Sequence, residues 1–284
     1  MEIKEYEDLS KYTTIKIGGI AKHFYIPESV YELQCIVKEL DKYWILGGGS
    51  NLLINDQNEF DDVIYLKKMN NDIQMNGDCF YVGASVSNQK LINYINEKGY
   101  GGIEYLYSVP GLIGGAVVMN AGRGKKFNQS ISDYLVKVEV LIDGEIIYLT
   151  KEQCKFSYRN SIFKNNSKYI IIGAYFIFDK QSIDISNQLK KERMDLCKKV
   201  QDVSKPNFGT FCCESNYGIM KILSTFTVGY KSGCHFSKKT VNWVLNEGNG
   251  NYLQIKNLIK ITKIFHKLLN KKCEVEVIVW STSN

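Results

Sequence analysis

The chain has 284 residues, 44% of them hydrophobic, and its 36 Lys and Arg against 30 Asp and Glu give a formal net charge of +6. That length and apolar content suit a sizeable core shared between two or three domains, and the mild, dispersed positive charge favours small polyanions over nucleic acid, which needs a focused basic patch. Eight cysteines without CxxC spacing and only three histidines argue against a zinc site, while the early charges Glu2, Lys4, Glu5, Glu7 and Asp8 and the lack of a long apolar run argue against export and a membrane span.

Pro27-Glu28-Ser29, followed by Val30, Leu33, Val37 and Leu40 at helical spacing, predicts a helix that leads into a short strand at residues 43–46. That strand runs directly into Gly47-Gly48-Gly49-Ser50-Asn51. Val63-Ile64-Tyr65-Leu66 and Phe80-Tyr81-Val82-Gly83 read as strands, and Ser87 caps a helix through Leu91, Ile92 and Ile95 that Gly99 stops. A second glycine cluster follows, Pro110-Gly111-Leu112-Ile113-Gly114-Gly115-Ala116, continuing into Met119-Asn120-Ala121-Gly122. Residues 136–142 and 145–149 around Asp143-Gly144 predict a β-hairpin, because Asp-Gly supplies the positive φ of a two-residue turn. Residues 170–178 form a further strand, and a domain boundary is expected near residue 180. Beyond it, a charged helical segment at 185–200 places Leu189, Leu196 and Val200 on one face, a helix at 253–269 carries Leu258, Ile261, Phe265 and Leu268, and residues 274–280 form a last strand.

Three consecutive glycines after a strand leave bare N–H groups beside a Ser hydroxyl and an Asn amide, a cradle suited to phosphate oxygens. One such cluster alone reads as a tight loop; two, each bounded by apolar runs, point to a binding site for a polyphosphate-bearing ligand. The first cluster does not continue as GxGxxG and has no Lys-Ser/Thr of a Walker loop. The elements also lack the regular strand and helix alternation of a doubly wound sheet, so both common nucleotide folds are disfavoured.

Several segments in order resemble one family: Tyr12-Thr13-Thr14-Ile15-Lys16-Ile17-Gly18-Gly19, the first glycine cluster with Leu52-Leu53, Gly102-Ile103-Glu104-Tyr105-Leu106, the second glycine cluster, and Ser157-Tyr158-Arg159-Asn160-Ser161-Ile162-Phe163. The family is UDP-N-acetylenolpyruvoylglucosamine reductase, in its shorter form, and the likeness continues more thinly through residues 206–211, 242–246 and 274–277. The resemblance implies an α+β fold, with an FAD-binding module of the vanillyl-alcohol-oxidase type in two subdomains (1–66 and 67–180) and a C-terminal α+β substrate domain (181–284). It implies FAD and NADPH as cofactors, a UDP-sugar substrate, a cytoplasmic monomer, and no metal, nucleic-acid or membrane partner.

Carried over residue by residue, the resemblance assigns FAD to Gly47, Gly48, Gly49, Ser50, Asn51, Leu52, Ser108, Pro110, Gly111, Gly114, Gly115, Asn120, Ala121 and Gly122. Tyr158, Arg159 and Asn207 would bind substrate, Arg159 clamping the enolpyruvyl carboxylate, a task that suits a permanently charged fork. Outside its motif Arg159 would read as a solvated arginine and Tyr158 as a half-buried strand tyrosine. Glu276 aligns with the catalytic glutamate; strand alternation puts it on one face with Glu274, Ile278 and Trp280 and puts Val275, Val277 and Val279 on the other, so a solvated outer-face carboxylate is the alternative reading. The proton donor of the family is typically Ser in Gly-Ser-x-Phe, and here the position is Thr210 in Gly209-Thr210-Phe211-Cys212-Cys213. Threonine keeps the hydroxyl but restricts χ1, and Cys212 or Cys213 are the alternative acids. Residues 213–221 and Thr240 also depart from the family pattern, which leaves open an FAD-dependent oxidation of another sugar or alcohol, or a degenerate flavin-binding protein.

Overall fold

The computed structural model describes residues 1–226 and 232–282. It divides into two units, both discontinuous in sequence: unit one comprises Met1–Glu5, His23–Gly48 and Asp61–Cys197, and unit two comprises Tyr6–Lys22, Gly49–Phe60 and Lys198–Asn284. The α-helices, in chain order, are α1 Val30–Glu39, α2 Asn88–Glu97, α3 Ile113–Val118, α4 Ile183–Val200, α5 Tyr217–Thr225 and α6 Tyr252–Leu268.

Unit one is organised on a five-stranded antiparallel sheet in the spatial order Glu145–Thr150, Leu135–Ile142, Ile170–Ile177, Cys79–Gly83, Ile73–Asn76. The predicted hairpin closes at Ile142 opposite Glu145, with Asp143 and Gly144 at φ +51° and +82°. Ser29 and Ser87 cap α1 and α2 by accepting hydrogen bonds from the Glu32 and Lys90 N–H groups. The core beneath the sheet is aromatic and aliphatic: Phe80 meets Tyr100 edge-on at 4.9 Å and Phe176 stacks on Phe178 at 5.5 Å. The short strand Trp44–Leu46, which feeds the first glycine cluster, pairs in parallel with Glu59–Tyr65 through Trp44 opposite Val63.

Glu104 gives the Gly102-to-Leu106 motif an architectural role. Only 3% exposed, its carboxylate accepts from Gly102 N–H at 2.9 Å, Asn96 Nδ2 at 2.8 Å and Gln181 Nε2 at 2.8 Å, tying the segment before the second glycine cluster to α2 and to the approach to α4. On α4, Leu189, Leu196 and Val200 remain 38–44% exposed, whereas Ser186 and Cys197 are buried. The helix is held by polar contacts, Gln181 Nε2 to Ser186 Oγ at 2.7 Å and Cys197 Sγ to Ser108 Oγ at 3.1 Å, so its leucine stripe is not its packing face.

Unit two has its own core around Phe208, Phe211, Phe236, Met220 and Ile255, with Phe211 edge-on to Phe236 at 5.2 Å. Two expectations are corrected there. The buried stripe of α6 runs through Tyr252, Ile255, Leu258, Thr262 and His266, leaving Phe265 and Leu268 40% and 76% exposed. A polar stripe is tolerated because His266 Nδ1 donates to Thr262 C=O at 2.8 Å and Nε2 accepts from Asn216 N–H at 2.9 Å. The last strand is not continuous: Glu274–Val275 pairs antiparallel with Cys212–Glu214, while Ile278–Trp280 pairs in parallel with Leu52–Ile54. This change of partner at 276–277 breaks the alternation, so Val277 is buried at 6% while Val279 is 41% exposed.

Glu104→Gln should destabilise the fold by about 1–3 kcal/mol, because an amide NH₂ would then face a donor. Chemical denaturation reads this directly; unchanged stability would contradict the role given to Glu104.

Candidate active site

The two glycine clusters meet in unit one. A Cβ built on Gly48 would touch Gly111 Cα at 3.4 Å and Leu112 Cγ at 3.5 Å, so the two backbones lie in near contact. Gly47 and Gly115 have nothing within 4 Å of a built Cβ, leaving bare backbone open to a ligand. In unit two the continuation of the first loop is fixed from behind. Gly49 has φ +61°, and a Cβ there would lie 1.9 Å from Tyr12 C=O, so only glycine fits. Thr14 N–H donates to Gly49 C=O at 3.1 Å, Thr14 Oγ1 to Ser50 C=O at 3.4 Å, and Ile278 N–H to Asn51 C=O at 3.1 Å. These three bonds engage loop carbonyls and consume none of the loop's N–H donors. The residues present fit the pyrophosphate of a flavin dinucleotide, which needs close backbone approach and N–H groups.

Not all the assigned cofactor positions are of this open kind. Leu52 is buried in its strand, and Gly114 packs on Ala84, its built Cβ 3.1 Å from that side chain. Pro110 is exposed, and Ser108 Oγ accepts from Arg193 Nε at 2.8 Å on α4. Gly122 packs on the backbone of Gln129, where a Cβ would come within 2.1 Å of its carbonyl.

The Ser157-to-Asn160 turn places Arg159. Ser157 and Asn160 exchange backbone hydrogen bonds at 3.0 and 3.1 Å, and Arg159 takes the left-handed conformation at φ +54°, costly for a side-chain-bearing residue. Its guanidinium donates through Nη2 to Gly122 C=O at 2.6 Å and through Nη1 to Asn120 C=O at 3.3 Å. Asn120, 5% exposed and itself at φ +43°, donates through Nδ2 to Ser157 C=O at 3.0 Å and accepts at Oδ1 from Ser132 N–H at 3.3 Å. Ser161 Oγ adds a bond to Val118 C=O at 2.7 Å. The arginine fork is therefore oriented by the end of the second glycine cluster. Tyr158 is 39% exposed, and its ring centroid lies 5.3 Å from Arg159 Cζ and 5.9 Å from Lys125 Nζ.

Unit one also contains a cleft of about 370 Å³ lined by Gly102, Tyr105, Arg123, Gln129, Arg193 and Leu196. The Tyr105 hydroxyl there is buried without a hydrogen-bond partner, and burial pushes its pKa up. Sequence reasoning assigned Tyr105 no role; its place in the Gly102-to-Leu106 motif was the available signal.

Thr210 and Glu276 both belong to unit two. Thr210 forms an antiparallel bridge with Trp243, and the next residue, Phe211, accepts at its carbonyl from Glu276 N–H at 2.9 Å. Asn51 Nδ2 donates to Glu276 C=O at 3.3 Å, linking the first loop to the glutamate's backbone. Cys212 is 2% exposed, with its sulfur 3.8 Å from that of Cys273, and burial pushes its thiol pKa up; Cys213 Sγ contacts Glu274 C=O at 3.6 Å. Asn207 closes its own turn, accepting from Gly209 N–H at 3.0 Å and donating to Lys205 C=O at 2.9 Å.

The family profile described as an FAD binding domain matches residues 21–150. A UDP-N-acetylenolpyruvoylglucosamine reductase from Thermotoga sp. (strain RQ2) is 30% identical over 98% of this chain and 94% of its own length. The protein of that name from Bacillus subtilis (strain 168) is 30% identical over 95% of this chain and 90% of its own. The crystal structure of UDP-N-acetylenolpyruvylglucosamine reductase from Thermus caldophilus superposes with a TM-score of 0.80 at 23% identity, covering 99% of this chain and 98% of that one, which shows a shared fold. No helix among the described residues is long and apolar enough to cross a membrane. With a relative 30% identical along nearly its whole length, the chain belongs to the UDP-N-acetylenolpyruvoylglucosamine reductase family.

Proposed function

We propose that this protein reduces UDP-N-acetylglucosamine enolpyruvate to UDP-N-acetylmuramate with NADPH and FAD, a step of peptidoglycan precursor synthesis, acting as a cytoplasmic monomer. The observation that carries the reading is Arg159, a permanent cation locked in a left-handed turn by the carbonyls of Asn120 and Gly122 within a chain of this family. Residues 1–66 and 67–180 supply the FAD subdomains, and residues 181–284 the substrate domain.

FAD, when bound, would supply the two-electron chemistry that links NADPH to reduction of the enolpyruvyl group. The protein supplies position, charge and a proton. Gly47 and Gly48, with the backbone around Gly111 and Gly115, hold the pyrophosphate. Arg159 clamps the substrate carboxylate and stabilises the charge that develops on it during reduction; because its fork is already held, little reorganisation is needed. The Thr210 hydroxyl delivers the proton to C2, and Glu276 polarises the substrate and organises that delivery. Cys212 is the weaker candidate acid, since its thiol is buried against Cys273 in the unit-two core.

The purified protein should show flavin absorbance and oxidise NADPH one-to-one with added UDP-N-acetylglucosamine enolpyruvate. Oxidation of a sugar or alcohol without consumption of the enolpyruvyl compound would assign the other reaction, and absence of flavin would sink both. Gly115→Leu places a side chain where the backbone is now open, so the variant should keep the parent's circular dichroism yet purify with a small fraction of its flavin. Parental flavin content would remove Gly115 from the cradle.

A further inference from the structure

We propose that Asn242 is a positioning residue for the proton-delivering segment, its carboxamide acting as a substitute strand neighbour that holds residues 210–212 in register with Glu276. Asn242 Oδ1 accepts from Cys212 N–H at 3.0 Å, and Asn242 Nδ2 donates to Cys212 C=O at 2.7 Å. The main-chain carbonyl of the same residue accepts from Phe211 N–H at 2.8 Å. One asparagine thus makes three hydrogen bonds to two consecutive residues. Those residues follow Thr210 directly, and Phe211 is the one whose carbonyl receives Glu276 N–H at 2.9 Å. Thr210 itself bridges to Trp243, the residue after Asn242. The donor hydroxyl and the backbone of the glutamate are therefore joined through a peptide segment that Asn242 fixes.

The chemistry of the amide explains the residue. A planar group carrying a donor and an acceptor on adjacent atoms can pair with the N–H and C=O of one residue, as a neighbouring strand would. Aspartate has the same shape but no donor, and would set a carboxylate against the Cys212 carbonyl. The arrangement is needed because the strand pairing around Cys212 is irregular. The ladder between Cys212–Glu214 and Glu274–Val275 shifts register between Cys212 and Glu214, so regular pairing there is short. A side chain replaces the missing neighbour. Proton transfer is sensitive to displacement of the donor by about 1 Å, on the order of 10²-fold in rate, so this support acts on the reaction through Thr210.

The proposal rests on the reading of Thr210 as proton donor, and the two are separable in one experiment. FAD-loaded parent, Asn242→Ala, Asn242→Asp, Thr210→Val and the double variant Thr210→Val/Asn242→Ala are compared in rapid-reaction half-reactions. Flavin reduction by NADPH should match the parent throughout. Re-oxidation by the enolpyruvyl UDP-sugar should slow about 10- to 100-fold in each Asn242 variant, and the double variant should be no slower than Thr210→Val alone. Deuterium uptake at residues 210–214 should rise in Asn242→Ala while uptake around Gly47 and Gly111 stays parental. Parental re-oxidation in the Asn242 variants, additive losses in the double variant, or equal slowing of both half-reactions would overturn the positioning role. Parental re-oxidation in Thr210→Val would overturn the donor assignment instead, and with it this proposal. If Asn242→Ala does not fold, Asn242→Asp, isosteric with the parent, decides by the same criteria.

Discussion

The hydrogen bonds from the Arg159 guanidinium to the carbonyls of Asn120 and Gly122, at 3.3 and 2.6 Å, tie the Ser157-to-Asn160 turn to the end of the second glycine cluster in unit one. Two side-chain-bearing residues, Arg159 at φ +54° and Asn120 at φ +43°, are held left-handed to make them. Each such residue costs roughly 1–2 kcal/mol. The cost is offset by the bonds that Asn120 makes to Ser157 and Ser132 and that Ser161 makes to Val118, and the result is a cation fixed relative to the glycine backbone. A clamp that is already oriented loses little in closing on a carboxylate, and that makes an arginine useful at a site where charge develops.

Unit two solves a related problem with strands. Its last segment pairs first with Cys212–Glu214 and then, after Glu276 and Val277, with Leu52–Ile54. The partner change falls at the glutamate, so the side chain sits where one ladder ends and another begins. Its backbone N–H meets Phe211 and its carbonyl meets Asn51. The loop after Gly48 is thereby tied to the last strand segment, while the Tyr12-to-Thr14 segment closes against Gly49, where any Cβ would collide with Tyr12.

Much of this was legible from residues alone. The Asp-Gly hairpin, the Ser87 cap and the strand before the first glycines each rest on local rules of φ, capping and periodicity, which need no knowledge of partners, whereas the site residues came from the family resemblance. What escaped depends on long-range pairing. The register of residues 274–280 was set by two different partners that no alternation pattern encodes. The buried stripe of α6 runs through Thr262 and His266, polar residues acceptable only because a carbonyl and an amide from elsewhere satisfy the imidazole. Asn242 belongs to the same class: a polar residue in a short motif becomes informative only once Cys212 is found opposite it.

The central claim is that Asn120 holds the Arg159 turn and so sets substrate affinity. Asn120→Gly tests it cleanly, because glycine keeps the left-handed backbone while removing the carboxamide that bonds Ser157 and Ser132. Titrating the oxidised, FAD-loaded protein with the enolpyruvyl UDP-sugar and following the flavin spectrum gives Kd without turnover. The account predicts, for the flavin-loaded fraction, a Kd raised about tenfold or more, the equivalent of ~1.4 kcal/mol. A Kd equal to that of the parent would contradict it.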